Sequence, residues 1–321
     1  MSPPGPGPTP IDAVAALRAH LSALNALPLP GGGSTAERWR ALTAIARCDL
    51  SVARLAEGHA DAGAILLELD RADLRADGLA LGVWAADPGG LRAREVDGGW
   101  CLDGEKPWCS GSTGLDAALV TATAADGPRL FFVPTDGLAP TVGSWQPMGM
   151  LASRSDTIAF EDVRIAADQA ESGPDAYVQR PGFDHGGCGV AACWWGGARG
   201  LLDELRRWRT DDALVALGRS DAALTTSGLL LREAADAIDR QPLDRPLSVR
   251  LAGQVRLAVA VASRTTLDAT IAALGSTGLC QRPEHSTRVA DLLVYLSQLP
   301  ERSAAAAHGQ HLSDDGWGGT W

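Results

Sequence analysis

From Ala80 to about residue 168 the chain abandons the helical period that precedes and follows it, and this change of texture fixes the class of fold. Short apolar runs, Leu81–Ala85, Trp100–Leu102, Ala118–Thr121, Leu130–Val133 and Thr157–Phe160, alternate with Asp-Gly, Gly-Gly and Pro-Thr-Asp-Gly turns. Runs of that length bounded by glycine and proline are strands, and their close spacing points to a small antiparallel sheet or barrel. Within it, Trp100–Gly111 reads as a strand, a turn at Gly104, and a second strand ending on an aromatic and a hydroxyl.

On the N-terminal side, Ile11, Val14, Leu17, Leu21 and Leu24 share one helical face, and the Pro/Gly run from Pro28 to Gly33 ends that helix. Ser34 or Thr35 caps a second helix over Ala36–Arg47, and Asp49 or Ser51 a third over Asp49–Leu69. After Gly182 the helical stripe returns with Val190, Trp194, Gly197, Leu201, Leu205 and Trp208. Helical patterns over Asp221–Ile238, Leu247–Leu274 and His285–Leu299 follow, with Pro242, Pro246 and a loop from Gly275 to Pro283 between them. The expected order is an N-terminal helical domain (1–80), a middle antiparallel β-barrel domain (81–168), a C-terminal four-helix bundle (182–303) and a frayed tail (304–321). This is an α+β chain.

Charge and cysteines narrow the function classes. A formal net charge of −11 argues against nucleic acid and anionic membrane as partners. No basic leader with an apolar core opens the sequence and no segment reads as long and apolar enough to span a bilayer, so a cytoplasmic protein is expected. Cys48, Cys101, Cys109, Cys188, Cys193 and Cys280 lack paired spacing, which signals neither a metal site nor a disulfide framework.

Three stretches carry a resemblance. Lys106-Pro107-Trp108-Cys109-Ser110, Gly82-Val83-Trp84-Ala85-Ala86-Asp87-Pro88-Gly89-Gly90 and Met148-Gly149-Met150-Leu151-Ala152-Ser153-Arg154-Ser155-Asp156-Thr157 resemble the middle β-domain of the acyl-CoA dehydrogenase superfamily. The resemblance covers roughly residues 35 to 300, with an N-terminal domain shorter than usual. It implies FAD as cofactor, a homo-oligomer, and a small-molecule substrate such as acyl-CoA or a carrier-bound acyl group, with the electron acceptor undefined. It also implies that Trp108 lies against the isoalloxazine, that Ser110 hydrogen-bonds the ring edge with Cys109 between them, and that backbone groups of Trp84, Ala85 and Ala86 reach the flavin.

The sequence departs from the family at telling places. Ala86 stands where a Thr is usual, Gly90-Leu91-Arg92 replaces a Gly-Ser-Asp, Leu151 replaces an Arg, and Arg154 replaces a Gly. The carboxylate that would take the substrate proton has Glu301 as its nearest counterpart, reached only by a small shift along the helix, and a shift of two residues turns a helical side chain to another face. His185, beside Gly186 and Gly187, is a second candidate for proton transfer. Gly187-Cys188-Gly189-Val190-Ala191-Ala192 fits a dinucleotide fingerprint only superficially, since no strand precedes it, and reads instead as a Gly-rich helix start. The expected activity is hydride transfer from an acyl thioester to FAD. The alternatives are a flavin-dependent monooxygenase on the same scaffold or a non-catalytic partner subunit.

Overall fold

The structure, a computed structural model, describes residues 12–86, 90–171 and 173–315. The chain divides into two compact units, one containing 12–27 and 51–183, the other 28–50 and 184–315.

The first unit is built on a seven-stranded sheet. Its strands are β1 (Leu81–Trp84), β2 (Leu91–Val96), β3 (Gly99–Cys109), β4 (Ala117–Ala124), β5 (Gly127–Pro134), β6 (Asp156–Ala166) and β7 (Ala170–Glu171). Two tight hairpins set the register: Asp97 and Gly98 join β2 to β3, and Ala125 and Asp126 join β4 to β5. The order is β6-β3-β2-β4-β5-β7, with β1 added beside β4.

This corrects the expected antiparallel barrel in two ways. β1 and β2 both run parallel to β4, so the sheet is mixed. Closure also fails, because the edge strands β6 and β7 form no ladder with each other among the described residues and β7 is only two residues long. The expected turn at Gly104 is a bend inside β3: its φ is +120°, pairing with β6 slips there, and a Cβ would lie 2.2 Å from the Gly90 carbonyl oxygen.

Helix α1 (Ala13–Asn25) begins where the Asp12 carboxylate accepts from the backbone N–H groups of Val14 and Ala15. It is tied to the sheet by Arg18, whose guanidinium grips Asp116 at 2.9 and 3.0 Å. Helix α3 (Leu50–Glu68) lays Ala62, Ile65 and Leu66 on Leu81, Leu119, Leu130 and Phe132. Burial of each such large side chain stabilises by about 2 kcal/mol. A short helix, α4 (Ala176–Gln179), follows the sheet.

The second unit is helical: α2 (Thr35–Cys48), α5 (Gly182–Leu205), α6 (Asp211–Arg240), α7 (Arg245–Gln281), α8 (Pro283–Ser297) and α9 (Glu301–Asp315), of which α5 enters at Asp184. Helices α2 and α5 touch through small residues; a Cβ on Gly196 would lie 2.6 Å from the Thr43 carbonyl oxygen. The expected loop from Gly275 shrinks to one residue with φ +52°, after which helix resumes to Gln281. Helix α7 is also long and apolar enough to cross a membrane by length and composition, contrary to the sequence reading, and Leu251, Val255, Val259 and Leu267 on it are buried within the protein.

The expected frayed tail is α9 through Asp315, and residues 316–321 lie outside the described residues. Ala304–Ala307 favour helix, and the helix docks where Gly253 lets the His308 ring approach α7.

Candidate functional site

Strand β3 breaks its ladder with β6 between Lys106 and Cys109, and that slip re-aims Trp108. Trp108 has φ +63°, a conformation β-carbons disfavour, and its indole is 59% exposed. Three of the six described non-glycine residues with positive φ, Trp108, Met150 and Arg154, belong to this one corner of the sheet unit. Strained backbone gathered at one place is a mark of function rather than of folding.

Around Trp108 the surface is apolar. Trp145 meets it edge-on, with ring centroids 6.2 Å apart at 89°, and is itself fixed by donation of its indole N–H to the Leu151 carbonyl at 3.2 Å. Met148 and Leu151 are 70% and 55% exposed. Large apolar side chains left in water in one stretch of chain mark a candidate binding surface.

Two residues on from Trp108, Ser110 begins a chain of buried hydroxyls. Ser110 Oγ is 2.9 Å from Ser155 Oγ, which is 3.0 Å from Ser153 Oγ, which donates to the Met150 carbonyl at 2.8 Å. Each hydroxyl has one proton. Ser153 spends its proton on the carbonyl and so accepts from Ser155, and Ser155 in turn accepts from Ser110. The proton of Ser110 is thus committed to Ser155, and its oxygen keeps a lone pair free to accept.

The supporting groups are equally tied down. Ser112 donates to Asp156 at 2.7 Å, and Arg154 grips the same carboxylate at 3.0 and 3.2 Å. The backbone N–H groups of Gly111 and Ser112 donate to the carbonyls of Ser153 and Arg154. These bonds lock the two loops that carry Trp108 and Leu151 together.

The remaining sequence candidates fall out as follows. Trp84 is buried and donates its indole N–H to the Ser110 carbonyl at 3.0 Å, which holds the corner from below. The Ala85 carbonyl accepts from Thr121 at 3.3 Å, whereas Ala86 is exposed. Asp87, Pro88 and Gly89 lie outside the described residues. Cys109 is buried, donates to the Lys106 carbonyl, and has its thiol pushed up to about 12 by burial, the setting of a packing residue.

Glu301 and His185 belong to the helical unit. Glu301 opens α9 and pairs with Arg264 at 3.3 Å, both side chains being partly exposed, which is the arrangement of a helix-end ion pair. His185 is 1% exposed, with Nε2 3.0 Å from Ser248 Oγ. Because Ser248 gives its own proton to the Asp244 carbonyl, Nε2 of His185 must donate, which fixes the ring as a packing and hydrogen-bonding element between α5 and α7. Gly187–Ala192 sits inside α5, beyond its first turn, so the expected Gly-rich helix start is displaced to Gly182.

The structure brings Trp145, Ser153 and Ser155, which the sequence reading did not single out, beside Trp108 and Ser110. The Met148–Thr157 stretch was read as a domain marker, and nothing in its spacing reveals that two of its serines continue a hydroxyl chain from another strand.

An exposed indole bordered by apolar side chains, over a buried hydroxyl acceptor, fits a flat heteroaromatic ring such as a flavin. No protein-family model and no curated protein matches the sequence. Solved structures do match. Methanesulfinate monooxygenase MsuC from Pseudomonas fluorescens superposes with a TM-score of 0.79 at 19% identity, over 96% of this chain and 91% of that one. XiaF from Streptomyces sp., in complex with FADH2 and glycerol, gives 0.78 at 17% identity over 95% and 88%. TdsC from Paenibacillus sp. A11-2, with FMN and indole, gives 0.75 at 17% identity over 95% and 96%. The chain therefore shares its fold with these solved structures, an α+β architecture consistent with the acyl-CoA dehydrogenase-like fold.

Proposed function

We propose that the protein is a flavin-dependent monooxygenase that takes up reduced flavin, and that the corner of Trp108 and Ser110 holds the ring. When bound, reduced flavin supplies the electrons with which dioxygen is activated for transfer of one oxygen atom to an organic substrate. The reading rests on the buried Ser110–Ser155–Ser153 chain, in which donation by Ser153 to the Met150 carbonyl and one proton per hydroxyl order the other two bonds and leave Ser110 as an acceptor. An oxygen acceptor at the ring edge suits the reduced ring, whose central nitrogen carries an N–H, better than the oxidised ring, whose nitrogen there is itself an acceptor.

Trp108 supplies the apolar wall and excludes water from one side of the ring. Ser110 orients the ring edge, and Trp84 holds Ser110 by its carbonyl. The acyl-CoA dehydrogenase reading is the weaker one, since its nominated base, Glu301, is engaged with Arg264 at a helix end. The fold neighbours named as monooxygenases point the same way. FAD is the cofactor expected from the sequence; the matched structures include both FADH2 and FMN complexes.

The test is an anaerobic titration with reduced and oxidised FAD and FMN, followed by mixing with oxygenated buffer. Tighter binding of the reduced form, and oxidation slower than that of free flavin, are expected. Preference for oxidised flavin together with anaerobic bleaching by acyl-CoA would return the protein to the dehydrogenase reading. Binding of neither flavin in either state would leave the partner-subunit reading.

A further inference from the structure

The helical unit contains a second concavity. Trp39 and Arg40 of α2, Trp195 and Arg199 of α5, and Leu229 and Arg232 of α6 are among the residues lining a half-open groove of about 350 Å³. Its floor is aromatic. Trp39 is buried, and the Trp195 indole is fixed by donation to the Leu224 carbonyl at 2.7 Å. Gly228 keeps that floor open, since a Cβ there would lie 3.0 Å from the Trp195 ring. Leu229, 54% exposed, supplies an apolar wall.

The rim is cationic in a chain whose net charge is −11. Arg199 is stacked 5.5 Å over Trp195 and pairs with Asp221 at 3.2 Å. Arg40 and Arg232 are exposed and have no hydrogen-bond or ion-pair partner among the described residues. Two unpaired guanidiniums beside an apolar aromatic groove complement a ligand with a flat apolar body and one anionic group.

We propose that this groove binds a small aromatic acid, its ring against Trp195, Trp39 and Leu229 and its carboxylate or sulfonate met by Arg40 and Arg232. The site is built wholly from the helical unit and does not depend on the flavin reading. An aromatic acid in this groove is recognised by charge as well as by shape, so the neutral analogue is the decisive control.

Flavin-free full-length protein titrated calorimetrically with 2-naphthoate is expected to bind one molecule per chain, with 2-naphthol weaker by about tenfold or more. Arg40→Gln/Arg232→Gln is expected to bring the acid down to the level of the alcohol without lowering Tm, because both side chains are exposed. Leu229→Glu, also on the surface, places an anion in the groove and is expected to abolish binding of the acid. Equal affinities for acid and alcohol, or an acid affinity unmoved by the double substitution, would overturn the proposal. So would an absence of binding at millimolar 2-naphthoate accompanied by dissociation of an oligomer in Leu229→Glu, which would make the groove an interface between copies of this chain.

Discussion

Ser110 Oγ lies 2.9 Å from Ser155 Oγ, and the direction of that one bond, ordered by the donation of Ser153 to the Met150 carbonyl, decides what the corner of the sheet can recognise. Removal of the acceptor reverses the logic. In Ser155→Ala the Ser110 proton is released and can be offered to a ring nitrogen, so affinity for oxidised flavin should rise and the preference for reduced flavin should shrink by about tenfold. In Ser110→Ala both the preference and part of the reduced-flavin affinity should go. Titrations of both redox states, for wild type and the two variants, check this; an unchanged ratio in Ser155→Ala sinks the orientation argument.

Trp108 is predicted to matter for binding and not for folding. Its indole is 59% exposed, so Trp108→Ala should leave Tm nearly unchanged while weakening flavin binding by roughly tenfold or more. Its φ of +63° adds a second expectation. Trp108→Gly should be more stable than Trp108→Ala by about 1 kcal/mol, since only glycine adopts that backbone without cost. Denaturant midpoints for the pair separate the strain from the contact.

Much of this corner was legible in the sequence. Trp108 and Ser110 stood out because a strand ending on an aromatic and a hydroxyl is a short-range pattern, and the turn between Ala118–Thr121 and Leu130–Val133 is written in Asp126-Gly127, whereas β2 before Asp97-Gly98 was not read as a strand. The direction of the serine chain was not legible, because it depends on β3 and the Met150–Ser155 loop being brought side by side. The same limit explains the barrel. Alternation marks strands but says nothing of their pairing, and here β1 and β2 both run parallel to β4. The α9 helix was hidden by the glycines and polar residues that follow Ala307, while the docking of His308 against Gly253 is a tertiary contact.

Arg154 explains one departure from the family pattern. Its φ is +42°, so a glycine at this position is the unstrained choice, and the arginine is retained together with a paired grip on Asp156. Arg154→Ala loses the grip and keeps the strain, whereas Arg154→Gly loses the grip and relieves it. The glycine variant should therefore be the more stable of the two by about 1 kcal/mol, as read by thermal or denaturant unfolding. The reverse order would show that the strain is relieved in solution by another loop conformation.

A buried carboxyl makes stability depend on pH in an unusual direction. Glu57 on α3 is 4% exposed, and burial, reinforced by the neighbouring Asp61, outweighs the attraction of Arg54 and pushes its carboxyl up from 4.5 to about 8. The folded chain thus holds a proton that the unfolded chain releases across that range. Linkage then makes the contribution of Glu57 fully present below about 4.5 and progressively lost as pH rises through about 8. Unfolding free energy measured across this window should fall with pH in the wild type and fall less in Glu57→Gln, which keeps the neutral shape without the titration. Because the substitution leaves every other titrating group in place, the difference between the two curves isolates Glu57. Parallel curves for the two proteins would mean that Arg54 holds the carboxylate charged in the folded state.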